Sequence, residues 1–499
     1  MSRLFRTKNI DELIAASEDP RKRLAKTLGP WSLAALGVGA VIGSGIFILT
    51  GTAAAGETLR FPSPLHAPVL DLLLHGSGAV STIGRPGAGP AISLSFLLVA
   101  FACSFAALCY AELASMIPVA GSAYTYAYAT VGEIFAWIIG WDLILEYAVS
   151  NMAVAVGFSA YFNDILDSIF GVRLPPQLSG PMIAGGQLTG SWFNLPAFLI
   201  LMLLTWVLII GVRESSGANN LMVLVKVFAI AVFVFGAARA VDVGNWRPFA
   251  HNGFQGVLTG AAIVFFTYIG FDSVSTAAEE CRNPQRDVPF GIIASLLICT
   301  MLYVSVALVL TGIANWRTLS NAAPVAGALK ALGYEGIRRL VGVGAVVGMI
   351  SSLLVFQYGQ ARIWFAMSRD RLLPAFFSRV HPRHQTPHVS TLVAGLFVGI
   401  PAGIWDIGTF ADLSNIGTLF AFALVSLGVI VLRRTQPGRP RAFRVPWTPW
   451  LPAVSILLCL VLMLSLPLQT WIRFFLWLLA GLVVYFLSGS RRAAAGQTP

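Results

Sequence analysis

Charge is what this chain has least of. Asp, Glu, Lys and Arg make up 11% of its 499 residues, against roughly 25% in soluble domains, which excludes an ordinary water-soluble globule. Hydrophobic residues make up 57% of the chain, and its mean hydropathy is +0.77, so it reads as an all-α integral membrane protein. Recognisable catalytic motifs are missing too. Without an HExxH, a Walker-type loop or a nucleophile elbow, an enzyme reading has no chemistry to stand on. The five cysteines, Cys103, Cys109, Cys281, Cys299 and Cys459, make no CxxC pair or zinc-ligand spacing and read as buried thiols. The six histidines (His66, His75, His251, His381, His384 and His388) fall outside the expected spans. Three of them make HPRHQTPH, where the prolines break any helical register, so a solvated loop is expected rather than a metal site. No cofactor is implied. The net charge of +11 lies between spans rather than in one stripe, which points to topology and lipid headgroups and not to nucleic acid. Residues 1–30 lack the h-region and cleavage site of a secretory signal, so the first span is expected to remain as an anchor.

What is present centres on Gly37 to Gly51, GVGAVIGSGIFILTG. An apolar segment crossing a bilayer should be helical throughout, because hydrocarbon offers unpaired backbone no partner. Gly43-Ser44-Gly45 weakens the middle of this one. If the helix opens there, the amides of its second half face the gap with partial positive charge. Ser44 adds a hydroxyl donor, and the combination suits a carboxylate. Alternatively, Gly37, Gly39, Gly43 and Gly45 form a small-residue face that seats a neighbouring helix. A second apolar stretch, residues 260–280, has its own weak point around Tyr268-Ile269-Gly270. Paired interruptions in corresponding places of two halves are the best sequence pointer to a transporter's central site.

Spans are expected at about 31–54, 91–115, 132–162, 195–212, 218–240, 254–279, 288–314, 339–367, 389–404, 409–432, 449–468 and 472–488, each approaching the roughly 20 residues a crossing needs. About twelve transmembrane helices put both termini on one side, and the basic tail (Arg3, Arg6, Lys8, Arg21, Lys22, Arg23 and Lys26) makes that side cytoplasmic. Inner loops then hold Arg213; Arg282 and Arg286; Arg369, Arg371, Arg379 and Arg383; and Arg433, Arg434, Arg439, Arg441 and Arg444. Outer loops are sparser, although Arg317, Lys330, Arg338 and Arg339 weaken the bias. Residues 31–250 and 251–432 each hold five spans and open with an interrupted helix, so the second set must be inverted relative to the first. Residues 433–499 add two helices and a cytoplasmic tail. The Pro/Gly-rich insert 56–90 reads as an outward loop whose VLDLLL patch forms an interfacial turn of helix.

Ionisable groups at membrane depth are costly and make functional candidates. Lys226 lies mid-span in LMVLVKVFAIAVFVF. Burial penalises the charged form of an amine, so a lysine there can take up and release a proton; the alternative is snorkelling to the cytoplasmic surface. Glu146 lies well inside the third span and either meets substrate, relays a proton or is satisfied by a neighbouring helix. Asp142 sits one turn earlier, nearer the inner surface. Asp272, Glu279 and Glu280 follow the second break, and the last two are expected at the inner mouth, paired with arginines.

The blocks GAVIGSGIFILTG, AGPAISLSF, ALCYAELASMIPVAGSAYTYAY, GWDLILEYAV, GVRESSGANNLMVLVK, FFTYIGFDSVSTAAEECRNPQRDVP and GQARIWFAMSRDRLLP resemble an amino acid permease of the amino acid–polyamine–organocation superfamily, nearest bacterial members of the cationic amino acid transporter branch. The resemblance runs over about residues 27–445. It implies a LeuT-type 5+5 inverted repeat with helices 1 and 6 interrupted, alternating access and proton-linked uptake, the proton being the coupling ion. It also implies that Ser44 and Gly45, flanked by Ile42 and Gly43, hold the substrate carboxylate. By the same resemblance the carbonyls of Val41, Phe266, Thr267 and Ile269, beside Gly270, receive the α-ammonium, and Phe266 gates the site. Lys226 stands where sodium-coupled relatives place a cation, and Glu146 matches an acidic position of this branch. The insert after Gly56 departs from the family's short loop. Phe356, in SSLLVFQYG, would shorten the side-chain pocket, so a small or medium neutral amino acid fits better than a cationic one. The expected function is therefore a proton-coupled amino acid importer of a bacterial inner membrane, with lipid as its other partner and the oligomeric state left open. An exchanger or an amine or polyamine carrier is the first alternative. An amino acid sensor signalling through its short tails is the second.

Overall fold

The structure, a computed structural model, describes residues 7, 9–11, 14, 28–58, 63–79, 83–117, 119, 122–184, 187–210, 216–369, 373–384 and 386–495. The basic residues of the N-terminal tail, Arg213 and Arg371 lie outside the described residues, as do the side chains of Glu279, Glu280 and Arg369.

The first span is broken where its glycines predict. Helix α1 (Pro30–Val41) and helix α2 (Gly45–Ala55) meet at 48° across Ile42–Ser44. Beyond the insert, with its short helix α3 (Val69–His75), come α4 (Ile92–Met116), α5 (Ser122–Thr130), α6 (Glu133–Ile165), α7 (Leu195–Ile210) and α8 (Ser216–Ala237). Helix α9 (Gly253–Val264) passes into 3-10 turns on either side of the second break. The chain continues through α10 (Pro284–Ile313), α11 (Pro324–Ala331), α12 (Glu335–Arg369), α13 (His388–Ile404), α14 (Ile407–Thr435), α15 (Trp450–Leu464) and α16 (Leu468–Ala495).

Among the described residues, eight helices are long and apolar enough to cross a membrane, and the broken α1–α2 pair makes a ninth. Helices α7, α13 and α15, at 16, 17 and 15 residues, lie where further spans are expected but are shorter than the roughly 20 residues a crossing needs. Proline sets two of these limits: Pro387 precedes α13, and Pro449 and Pro467 flank α15. Proline disfavours helical conformation in the residue before it and lacks an amide to donate.

The packing pattern repeats between the two halves. Helix α4 lies on α10, α6 on α12 and α7 on α13; α6 also meets α14, as α8 meets α12, and α10 meets α1, as α4 meets α9. Indole N–H groups of Trp137 and Trp141 in α6 donate to the carbonyls of Gly481 and Trp477, both at 2.9 Å, and seat α16 outside the packed helices. All five cysteines are buried and free.

The insert carries structure that the sequence pattern did not reveal. Strand β1 (Gly56–Thr58) pairs antiparallel with β2 (Ile83–Pro86), closing it as a hairpin. Arg85, 3% exposed, joins Glu57 at 2.6 Å and Asp412 of α14 at 2.8 Å. Burial pushes the Glu57 carboxyl up, but the adjacent Arg85 guanidinium holds it below its ordinary value. Removing one partner of a buried ion pair strands a charge, at a cost of about 3–5 kcal/mol. Arg85→Gln should therefore lower the thermal midpoint of the purified protein by several degrees. An unchanged midpoint would show that the insert is not tethered through this residue.

Candidate functional site

The two breaks pack against each other. At the first, the Ile42 amide still reaches the Val38 carbonyl, and the next helix begins with the amides of Phe47 and Ile48 on the Ser44 carbonyl, both at 3.1 Å. The amides of Ser44, Gly45 and Ile46 precede those bonds and, at a helix start, have no intrahelical acceptor. The Ser44 hydroxyl, at the start of α2, is fully buried and has no hydrogen-bond partner among the described residues.

At the second break, Phe265–Tyr268 form a 3-10 turn, Ile269 is extended and Gly270 takes φ +117°. That conformation excludes a Cβ at little cost only for glycine. A Cβ on Gly270 would also approach the Ala40 carbonyl carbon to 3.0 Å. Gly45 closes the joint from the other side: a Cβ there would lie 2.8 Å from Thr267 Cγ2 and 3.2 Å from both Phe266 Cδ1 and Thr267 Cα. Val41, Ile42, Gly43, Ser44, Gly45, Phe266, Thr267, Ile269 and Gly270 thus form one buried group.

Lys226 belongs to this group. It is fully buried, and its amine donates to the carbonyls of Gly39 at 2.5 Å and Ile42 at 3.0 Å. It does not snorkel. It holds the unravelled end of α1.

Glu146 and Phe356 are placed along α6 and α12 from residues that line the first break. Val154 lines Gly43, and Gly157 lies so close to Ser44 that a Cβ on it would come within 2.6 Å of Ser44 Cβ. Glu146 precedes Val154 by eight residues, about 12 Å along α6. The charged groups acting on it are Asp272 and Asp142. Asp142 is fully buried against Gly417, with neither carboxylate oxygen hydrogen-bonded among the described residues. Phe356 is buried on α12, one turn beyond Ser352, and meets Tyr147 edge-on at 5.8 Å.

Sequence reasoning missed the side chains that secure the broken backbone. The Tyr303 hydroxyl lies 3.0 Å from the Val41 carbonyl and 2.9 Å from that of Thr267, so it can donate to either break. The Ser352 hydroxyl donates to the Ile42 carbonyl at 3.2 Å, and Tyr161 donates to Phe47 at 2.9 Å. The available signal was a hydroxyl within an otherwise apolar run, which must find a partner when buried. The described residues of the histidine loop are half-buried or exposed. His381 packs its ring against His384 and His388, at 4.7 and 5.2 Å. Its Nδ1 accepts from the amides of Arg383 and His384, and no metal-holding group occurs among the described residues.

Comparison with protein families matches residues 28–487 to the family described as amino acid permease. The chain is 45% identical over 497 residues to the branched-chain amino acid permease BcaP of Bacillus subtilis (strain 168), covering 99% of each. It is 44% identical over 487 residues to the methylthioribose transporter of the same organism, covering 98% of each. The chloroplastic cationic amino acid transporter 9 of Arabidopsis thaliana is 38% identical over 444 residues, 88% of this chain and 71% of that protein.

Proposed function

Because this chain belongs to the amino acid permease family, we propose that it is a secondary active transporter that imports a small or medium neutral amino acid by proton-coupled alternating access across the cell membrane. The observation that carries this reading is the buried Ser44 hydroxyl, left without an acceptor among the described residues beside the amides at the start of α2. A substrate carboxylate supplies that acceptor and is favoured by the helix dipole. Carbonyls of Val41, Phe266, Thr267 and Ile269 receive the α-ammonium, and Phe266 covers it.

The architecture proposed is twelve membrane helices with both termini cytoplasmic. Residues 31–250 and 251–432 form two inverted five-helix repeats of LeuT type, and residues 433–499 add two helices and a tail. The exchange symmetry of the helix contacts supports this: the main pairings between halves are matched by counterparts five spans away. Proton release from Lys226 would weaken its hold on the carbonyls of Gly39 and Ile42, because a charge-assisted hydrogen bond is roughly twice as strong as a neutral one, and would loosen α1 at its break.

A second reading has its own support, because the relative named as a methylthioribose transporter is nearly as similar as the one named a branched-chain permease. A thiosugar has neither carboxylate nor ammonium and would offer the Ser44 seat only neutral hydroxyl acceptors. Thermal-shift binding of the purified protein against the twenty amino acids and methylthioribose, at acidic and neutral pH, separates the two. Stabilisation by neutral amino acids supports the proposal. Stabilisation by methylthioribose alone overturns it, and stabilisation mainly by arginine or lysine overturns the neutral side chain.

Phe356 gives a sharper test of selectivity. Replacing its ring by the smaller Phe356→Leu side chain should raise uptake of bulkier neutral amino acids relative to alanine by about tenfold, the usual effect of one or two methylene-sized spaces. Competition assays with alanine, leucine and phenylalanine read this directly; an unchanged ranking would remove Phe356 from the pocket.

A further inference from the structure

Four basic residues from the end of α10 to the first turns of α12, Arg317, Lys330, Arg338 and Arg339, run against the charge bias of the loops, and the structure gives three of them a partner. Arg317 stacks its guanidinium 4.5 Å from the ring centre of Trp316. Lys330 lies 3.9 Å from Asp167. Arg338 is buried and pairs with Asp164 at 2.5 Å and Glu335 at 2.9 Å. Arg339 is different. It is exposed on α12 and makes no hydrogen bond or ion pair among the described residues.

Arg339 stands at the edge of a cavity of about 450 Å³ on the outer face of the α8–α12 pair. Its floor is made by small residues. Gly344 lets α12 approach so closely that a Cβ there would lie 2.2 Å from Ala229 Cβ, and beside Gly336 the space is open. Its walls are exposed and apolar: Phe228 from α8, and Leu340 and Val343 from α12. The trough is therefore hydrocarbon-like along its length and cationic at one end. The groove also backs onto the stretch of α8 that turns Lys226 inward.

We propose that this groove binds an anionic glycerophospholipid, with one acyl chain along Phe228, Leu340 and Val343 and the phosphate at Arg339. A partly desolvated guanidinium at a membrane surface pairs well with phosphate. One basic residue near the surface favours an anionic over a zwitterionic lipid by about fivefold.

The test is native mass spectrometry of the full-length protein in mild detergent, supplied with phosphatidylglycerol or phosphatidylcholine of identical acyl chains. Wild type should retain phosphatidylglycerol about fivefold better. Arg339→Gln should abolish that preference, Arg339→Lys should keep most of it, and Val343→Trp, which fills the trough, should lower retention of both lipids. Equal retention by wild type, a preference that survives Arg339→Gln, or retention unchanged by Val343→Trp would each overturn the proposal. So would a dimer that Val343→Trp dissociates, which would assign the face to a second copy of the chain.

Discussion

Lys226→Ala protein, reconstituted with a proton gradient, should bind substrate but fail to accumulate it, its uphill uptake falling to the level of empty vesicles. Among the described residues, the amine is the cationic group that donates directly to backbone at the first break, through Gly39 and Ile42. Removing it also strands those carbonyls, at about 1–3 kcal/mol for a buried group left unsatisfied, so alanine alone would confuse coupling with stability. Lys226→Arg separates the two. It keeps a cation and its donors but cannot give up a proton at accessible pH, and it too should lose gradient-driven accumulation. Both variants should retain substrate counterflow, which needs no net proton movement. Uphill uptake with unchanged pH dependence in either variant would remove Lys226 from the coupling step.

Gly45→Ala should weaken substrate binding and uptake strongly, while Gly43→Ala, two residues away, should leave them largely intact. A methyl at Gly45 meets Thr267 Cγ2 at 2.8 Å and the backbone of Thr267 at 3.2 Å, so the two breaks must separate. A methyl at Gly43 finds Ser352 Oγ at 3.5 Å and Val154 at 3.6 Å, which is ordinary contact. Forced overpacking costs about 1–3 kcal/mol, equal to about 5–150-fold in substrate affinity. Radiolabelled binding to both purified variants, with size-exclusion profiles to check folding, tests the contrast. Equal affinity in the two would mean that the joint between the breaks is not where substrate sits.

The sequence by itself carried the membrane class, because low charge and long apolar runs leave a chain few alternatives in water. It also carried the positions of both breaks, since Gly43-Ser44-Gly45 and Gly270 are local faults in helix propensity and local faults can be read locally. Family membership was legible for the same reason, in contiguous blocks such as GAVIGSGIFILTG. Lys226 was visible as a charge out of place, although its neighbours were not.

Only the tertiary structure decided which way Lys226 turns, because snorkelling and burial share one sequence pattern and differ in what lies across the helix. It joined Gly45 to Thr267 and Ala40 to Gly270, contacts between residues more than 200 positions apart that no local period encodes. It set Glu146 with Asp142 and Asp272, a distance along α6 from the Ser44 seat. It also brought Tyr303 and Ser352 to the broken backbone and gave the insert an anchor through Arg85. Helix breaks follow from the residues that form them; the partners that satisfy a broken backbone come from other helices, so only the packed fold can supply them.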